Sequence, residues 1–413
     1  MQPKALARLQ MFVALWATTF IAAAHLIFYR GAGALWRDEV NSVNMATAPD
    51  LFSDLARYQF DSFPIGWFVV LRSWILCFAQ WPDFNLRLFG LVVGMLLLGM
   101  AWIAARSLGG KTPTVSLVLF ALSATTIRFG DSIRAYGLGM LLALATLVTY
   151  WRVCQKPGRA RVWMAIFCGL LSVHFVFYNA VILFAITVAS AALLVAQRRR
   201  GAAIALFAGG ALAAASLLIY AAPLRAAASW NYVFRHGRGV DWFLGHLSEA
   251  LNLSGRATTT LWLAAVIASI VVVFALGSRR SWRNSLAIWY CAITIAVALP
   301  AYIGFLYILR YPMPPWYFAV AMALTAVCLD GVLTPREEGP RFGRSAAILY
   351  VIIGILVSMK PVLFAVSLRQ TTVDLAAESV AGQAGAGDLV LVYEWMNGIT
   401  FQRYYRGQAA WET

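Results

Sequence analysis

At 413 residues, 62% hydrophobic, 12% charged and with a mean hydropathy of +0.74, the chain is too apolar for a soluble globule, which runs about 45–50% apolar and about 25% charged. The same figures exclude a disordered chain and a disulfide scaffold, and the 16 Trp, 16 Tyr and 25 Phe suit membrane interfaces. The net charge of +16 comes as short basic clusters between apolar runs, which fits positive-inside topology and gives no face for nucleic acid.

A helix needs about 20 apolar residues to cross a bilayer. Apolar runs at 12–28, 86–105, 113–127, 135–151, 162–178, 180–196, 202–222, 259–277, 285–304, 316–333 and 346–366 are the predicted spans. The first follows Pro3-Lys4 with no small-residue cleavage site and reads as a retained anchor. A twelfth run, 64–80, opens with Pro64 and carries Arg72 in its middle, so it is predicted to lie on the surface as a helix. The basic clusters at Arg152 to Arg161, Arg198 to Arg200, Arg279 to Arg283 and Arg336 to Arg344 then share the cytoplasmic face.

The expected architecture is α: a polytopic transmembrane helical bundle of about 11 spans. It is expected over 1–366, with 29–85 as a long external loop holding surface helices at about 50–60 and 64–80. Residues 367–413 are expected to be a small external α/β tail, with a helix over Thr371–Gln383, a strand from Asp388 to Tyr393 and a second helix over Asn397–Tyr405. The N-terminus is expected in the cytoplasm and the tail in the periplasm of a bacterial inner membrane.

Charge placement bears on function. Of the 17 acids, all but Asp330, Glu337 and Glu338 fall outside, and none lies mid-span. Ion-coupled transporters usually keep acids at the midplane. The five cysteines read as buried hydrophobes, and the four histidines form no metal-ligand pattern.

Three external segments could carry chemistry. In Trp36-Arg37-Asp38-Glu39 an extended backbone would send the two acids in opposite directions, one to a cleft and one to a base such as Arg37. A carboxylate there suits proton removal from an acceptor hydroxyl; a solvated loop acid or a helix cap is the plain alternative. Arg128-Phe-Gly-Asp131-Ser-Ile-Arg134-Ala-Tyr136 puts two arginines outside, where they could meet phosphate or carboxylate. The alternative is a structural pair of Arg134 with Asp131. Arg310-Tyr311-Pro312 fixes an extended loop whose arginine could also hold phosphate, and Arg87 opens its span from outside. His174, with Tyr178 and Asn179 at another outer turn, reads either as a site residue or as a structural histidine.

In this order of features, with Phe63-Pro64-Ile65-Gly66-Trp67 and Leu86-Arg87-Leu88-Phe89-Gly90 between the acids and the arginines, the chain resembles the GT-C membrane glycosyltransferases, such as protein O-mannosyltransferases and the aminoarabinose transferases. The resemblance implies inverting transfer of a sugar from a polyprenyl-phosphate donor to a lipid, glycan or protein acceptor. It implies Asp38 as base with Glu39 and Arg37 in support, Arg134 and Arg310 on the lipid phosphate, and Arg87 and Tyr136 shaping the cleft. Ser62-Phe63-Pro64 departs from the family's His-Pro-Pro. A divalent cation stays open, because the family includes members with and without one. A flippase of lipid-linked sugars and an O-antigen-type polymerase or ligase are the other readings.

Overall fold

The computed structural model describes residues 3–51, 61, 63–78, 82–230, 240–277, 285–309, 314–333 and 341–413. Helices dominate it. They are α1 (Pro3–Gly31), α2 (Arg37–Thr47), α3 (Ile65–Cys77), α4 (Pro82–Ser107), α5 (Ala124–Gly130), α6 (Tyr136–Gln155), α7 (Arg159–Phe175), α8 (Asn179–Ala196) and α9 (Arg200–Ser216). There follow α10 (Ala221–Trp230), α11 (Val240–Asn252), α12 (Arg256–Gly277), α13 (Leu286–Leu309), α14 (Ala319–Leu333) and α15 (Arg341–Ser367). Among the described residues, nine helices are long and apolar enough to cross a membrane. The chain is a multi-pass membrane protein.

Two predicted spans take other forms. Over 162–178 the structure has the 17-residue α7, packed along α6 and α9. Over 113–127 the expected continuous helix is broken: a π-helix at Leu117–Ala121 ends at an extended Ser123, and α5 starts afresh. Unpaired backbone is tolerated at membrane depth only when protein surrounds it, and here Thr112 to Ile127 are buried. The start of this segment is pinned by Asp330 of α14. Its buried carboxylate accepts the N–H groups of Thr114, Val115 and Ser116 at 3.0–3.3 Å and their hydroxyls, Thr114 at 2.8 Å and Ser116 at 2.5 Å. An anion at a helix start answers its unpaired N–H groups and its dipole.

The surface helix predicted at 64–80 is α3, which buries Trp67, Phe68 and Leu71. Arg72 points its guanidinium to the carbonyl of Ala48 at 2.7 Å, which explains how a charge fits this apolar run. The helix expected at 50–60 lies outside the described residues except at its first positions.

The tail elements are α16 (Val373–Gln383), β1 (Leu389–Leu391), α17 (Asn397–Tyr404) and β2 (Ala410–Glu412), the two strands pairing in parallel. Ala377, Phe401 and Tyr405 form its own small core. The tail docks on one end of the bundle, the tail face, through Asp83 at the head of α4. Arg403 Nη2 reaches Asp83 at 2.5 Å, and the Tyr404 hydroxyl donates to it at 2.7 Å while accepting Leu35 N–H at 2.8 Å.

Candidate functional site

The chain leaving α1 turns at Gly33, whose φ of +69° is left-handed. That backbone conformation calls for glycine. The turn aims Trp36 into α2. Residues 37–39 are therefore not extended as expected; they are the first turn of a helix, where the dipole favours acids. Successive side chains there diverge by about 100°.

Glu39 faces inward with no exposed surface. Its Oε1 accepts from Arg87 Nη1 at 2.7 Å and Ile133 N at 2.8 Å, and its Oε2 from Arg87 Nη2 at 2.9 Å and Trp36 N at 3.0 Å. Arg87 also donates to the carbonyls of Gly33 and Ala34, at 3.3 and 2.7 Å. Both groups are thus consumed in holding α2 against α4 and the 131–135 connection. Glu39 accepts two hydrogen bonds at each oxygen and Arg87 spends four of its five N–H groups here, so their geometry is that of support.

Asp38 is different, with a side chain 21% exposed. Its Oδ1 accepts from Arg37 Nε at 2.7 Å, and its backbone carbonyl accepts from Arg134 Nη1 at 2.8 Å. Arg37 in turn meets the Met396 sulfur of the tail at 2.9 Å. Arg134, at the head of α6, also donates Nη1 to Ser42 Oγ at 2.8 Å and to Asp61 Oδ2 at 2.9 Å. Its guanidinium lies 4.4 Å from the Phe63 ring centroid. Burial pushes the Asp61 carboxyl above its ordinary range; Arg134 and Ser42 pull it back, and the charge of nearby Asp38 adds to the rise. Asp61 Oδ1 and Arg134 Nε are buried without a hydrogen-bond partner.

Around this polar cluster stands an aromatic wall. Tyr136 meets Phe63 edge-on at 5.1 Å and Trp316 at 6.3 Å, and Trp316 packs on Trp36 at 5.4 Å.

The remaining expected site residues go elsewhere. Arg128 sends Nη1 to the carbonyls of Ala365 and Leu368 at 2.5 and 3.0 Å and Nη2 to Gln370 at 3.1 Å, so it caps the C-terminus of α15 rather than facing phosphate. His174 bonds Ser216 Oγ at 2.9 Å and the Tyr220 hydroxyl at 3.3 Å, a structural setting beneath α3. Asp131 does not pair with Arg134; its partner is His25 at 2.7 Å, inserted beside Gly94, where any Cβ would overlap both. Arg310 and Tyr311 lie outside the described residues. Among the described residues, no group of three His, Cys, Asp or Glu side chains could hold a metal ion.

A surface cleft of about 590 Å³ opens between α4 and the tail, lined by Asp83, Gln402, Arg403, Tyr404 and Arg406. Through Tyr404 it adjoins Leu35, three residues before Asp38. Sequence reasoning missed Asp61 as a site residue. Its only signal was an acid three positions ahead of the proline that opens α3.

No family model and no curated protein sequence matches the chain. Solved structures do. The crystal structure of ArnT from Cupriavidus metallidurans bound to undecaprenyl phosphate is 11% identical, with a TM-score of 0.55 over 96% of this chain and 85% of that one. The apo form of the same protein gives 12% and 0.57 over the same shares. The Archaeoglobus fulgidus oligosaccharyltransferase tethered to an acceptor peptide gives 12% and 0.54, covering 96% of this chain but 64% of that one. At 11–12% identity this likeness is one of fold: the chain has the helical membrane fold of the ArnT and oligosaccharyltransferase structures.

Proposed function

We propose that the protein transfers a sugar from a polyprenyl-phosphate donor to an acceptor hydroxyl, with inversion, at the tail face. The observation that carries this reading is that Arg134, 96 positions away, donates at 2.8 Å to the backbone carbonyl of Asp38 beside the buried Asp61. The GT-C fold supports it, as does the undecaprenyl phosphate that the ArnT crystal structure holds. The tail face is read as periplasmic, and the acceptor as a lipid, glycan or protein.

In this mechanism Asp38 takes the proton from the acceptor hydroxyl as its oxygen attacks the anomeric carbon from the face opposite the phosphate. The bond from that carbon to the phosphate oxygen breaks, and its electron pair leaves with the phosphate, which becomes a monoester. Arg134 offers its unused Nε to the departing charge, and Arg310, which the family resemblance puts on the lipid phosphate, is assigned as a second guanidinium. A fixed donor in a water-poor site stabilises charge with little reorganisation. Glu39 and Arg87 hold the first turn of α2 so that Asp38 keeps its position. No step is derived through a metal.

The test is turnover by the purified full-length protein of undecaprenyl phosphate carrying a sugar, with free undecaprenyl phosphate as the readout. Wild type is expected to release it when given an acceptor, and Asp38→Asn to be slower by about 100-fold or more while inserting normally. Full activity in Asp38→Asn would remove Asp38 as the base. Movement of intact donor across vesicles without release would favour a flippase.

A further inference from the structure

Besides Arg134 Nε, three buried polar atoms at the aromatic wall lack a hydrogen-bond partner: Trp36 Nε1, Asp61 Oδ1 and the Tyr178 hydroxyl. Leaving such a group unpaired is costly, so several together mark a position where a partner arrives from outside the chain. The rings carrying them are continuous. Trp36 packs on Trp316 at 5.4 Å, Trp316 on Tyr136 at 6.3 Å, and the next residue, Tyr317, on Tyr178 at 5.7 Å. Asp61 joins through Arg134, whose guanidinium lies 6.0 Å from the Tyr136 ring centroid.

We infer that the sugar on the donor is neutral and that its hydroxyl groups are read by Trp36, Asp61 and Tyr178, an inference that rests on the transfer reading above. A pyranose offers an apolar C–H face to aromatic rings and a rim of hydroxyls to directional groups. The indole N–H donates to one hydroxyl oxygen, Asp61 Oδ1 accepts a hydroxyl proton, and the tyrosine can do either. Charge sets the class. Asp61 is answered by Arg134 and Asp38 by Arg37, and Arg310 is assigned to the phosphate, so among the described residues at this wall no charged side chain is left over to answer an ionised sugar substituent. Burying such an ion uncompensated would be costly.

The experiment measures equilibrium binding of the full-length protein in nanodiscs to undecaprenyl phosphate alone and to the same lipid carrying glucose, galactose, mannose, arabinose or glucuronic acid. At least one neutral sugar is expected to tighten binding about tenfold over the bare lipid, and glucuronic acid not at all. Tyr178→Phe keeps its ring, and Trp36→Phe keeps an aromatic side chain while removing the indole N–H. Each is expected to weaken the preferred lipid about fivefold and leave the bare lipid unchanged. Tightest binding of the glucuronic lipid, no gain from any neutral sugar, or equal loss for bare and sugar-bearing lipids would overturn the inference while leaving lipid-phosphate binding intact. Failure to bind even the bare lipid would remove the transfer reading and this inference with it.

Discussion

Two adjacent carboxylates, Asp38 and Glu39, have the same chemistry and opposite fates, and their partners decide which is which. Glu39 has four hydrogen bonds and no exposed surface; Asp38 has one arginine and access. Replacing Arg87 with Met would strand Glu39 as a buried unpaired charge, costing about 3–5 kcal/mol. Thermal unfolding in detergent should show that loss, and Glu39→Gln in the same protein should return part of it. Asp61 makes a pH prediction. Burial holds its carboxyl above the usual range, so on acidification it takes a proton before an exposed aspartate would, and Arg134 loses its counter-charge. Turnover should therefore fall as pH drops through that raised value, and Asp61→Asn should be slower overall with this acid limb flattened. Asp38, Glu39, Arg87 and Arg134 were legible as external charges near span ends. Their pairing was not, because it depends on which residues face one another across 48 to 96 positions of chain.

The segment from Thr112 to Asp131 shows what hydropathy leaves out among the elements. Its composition matches a simple span, yet the helix breaks at Ser123, where Ser254 Oγ accepts the Ala124 N–H at 2.8 Å, while Asp330 caps the segment's start. Asp330→Ala should cost about 3 kcal/mol or more, since hydrogen bonds to a charged group contribute about 1.5–3 kcal/mol each. Asp330→Asn should cost less. The readout is thermal unfolding in detergent, and an unchanged midpoint in Asp330→Ala would mean the segment holds its shape without the cap. The helix over 37–47 was missed for a related reason. Its residues are mostly polar, its apolar period (Val40, Val43, Ala46) is too short to stand out, and its start is fixed by Glu39 reaching back to Trp36 N–H.

At the scale of the whole molecule, the C-terminal tail meets the turn after α1 at one face. The tail grips Asp83 through Arg403 and Tyr404, and Tyr404 and Met396 touch the turn that presents Asp38. The tail elements were readable because turn residues and short apolar runs mark them; their docking was not, since it rests on single polar contacts. Tyr404→Phe removes both hydrogen bonds of that hydroxyl and should lower turnover about tenfold, at about 1.4 kcal/mol per tenfold, with little change in expression. Normal turnover would make the tail a passive appendage. The spans, by contrast, follow from apolar length alone, and that is why the bundle could be anticipated and the site only in part. The most direct check of the account is a structure of the protein with undecaprenyl phosphate bound. The phosphate is predicted within about 3 Å of Arg134 Nε, beside Asp38; a phosphate held instead in the cleft between Asp83 and Arg406, away from both, would contradict it.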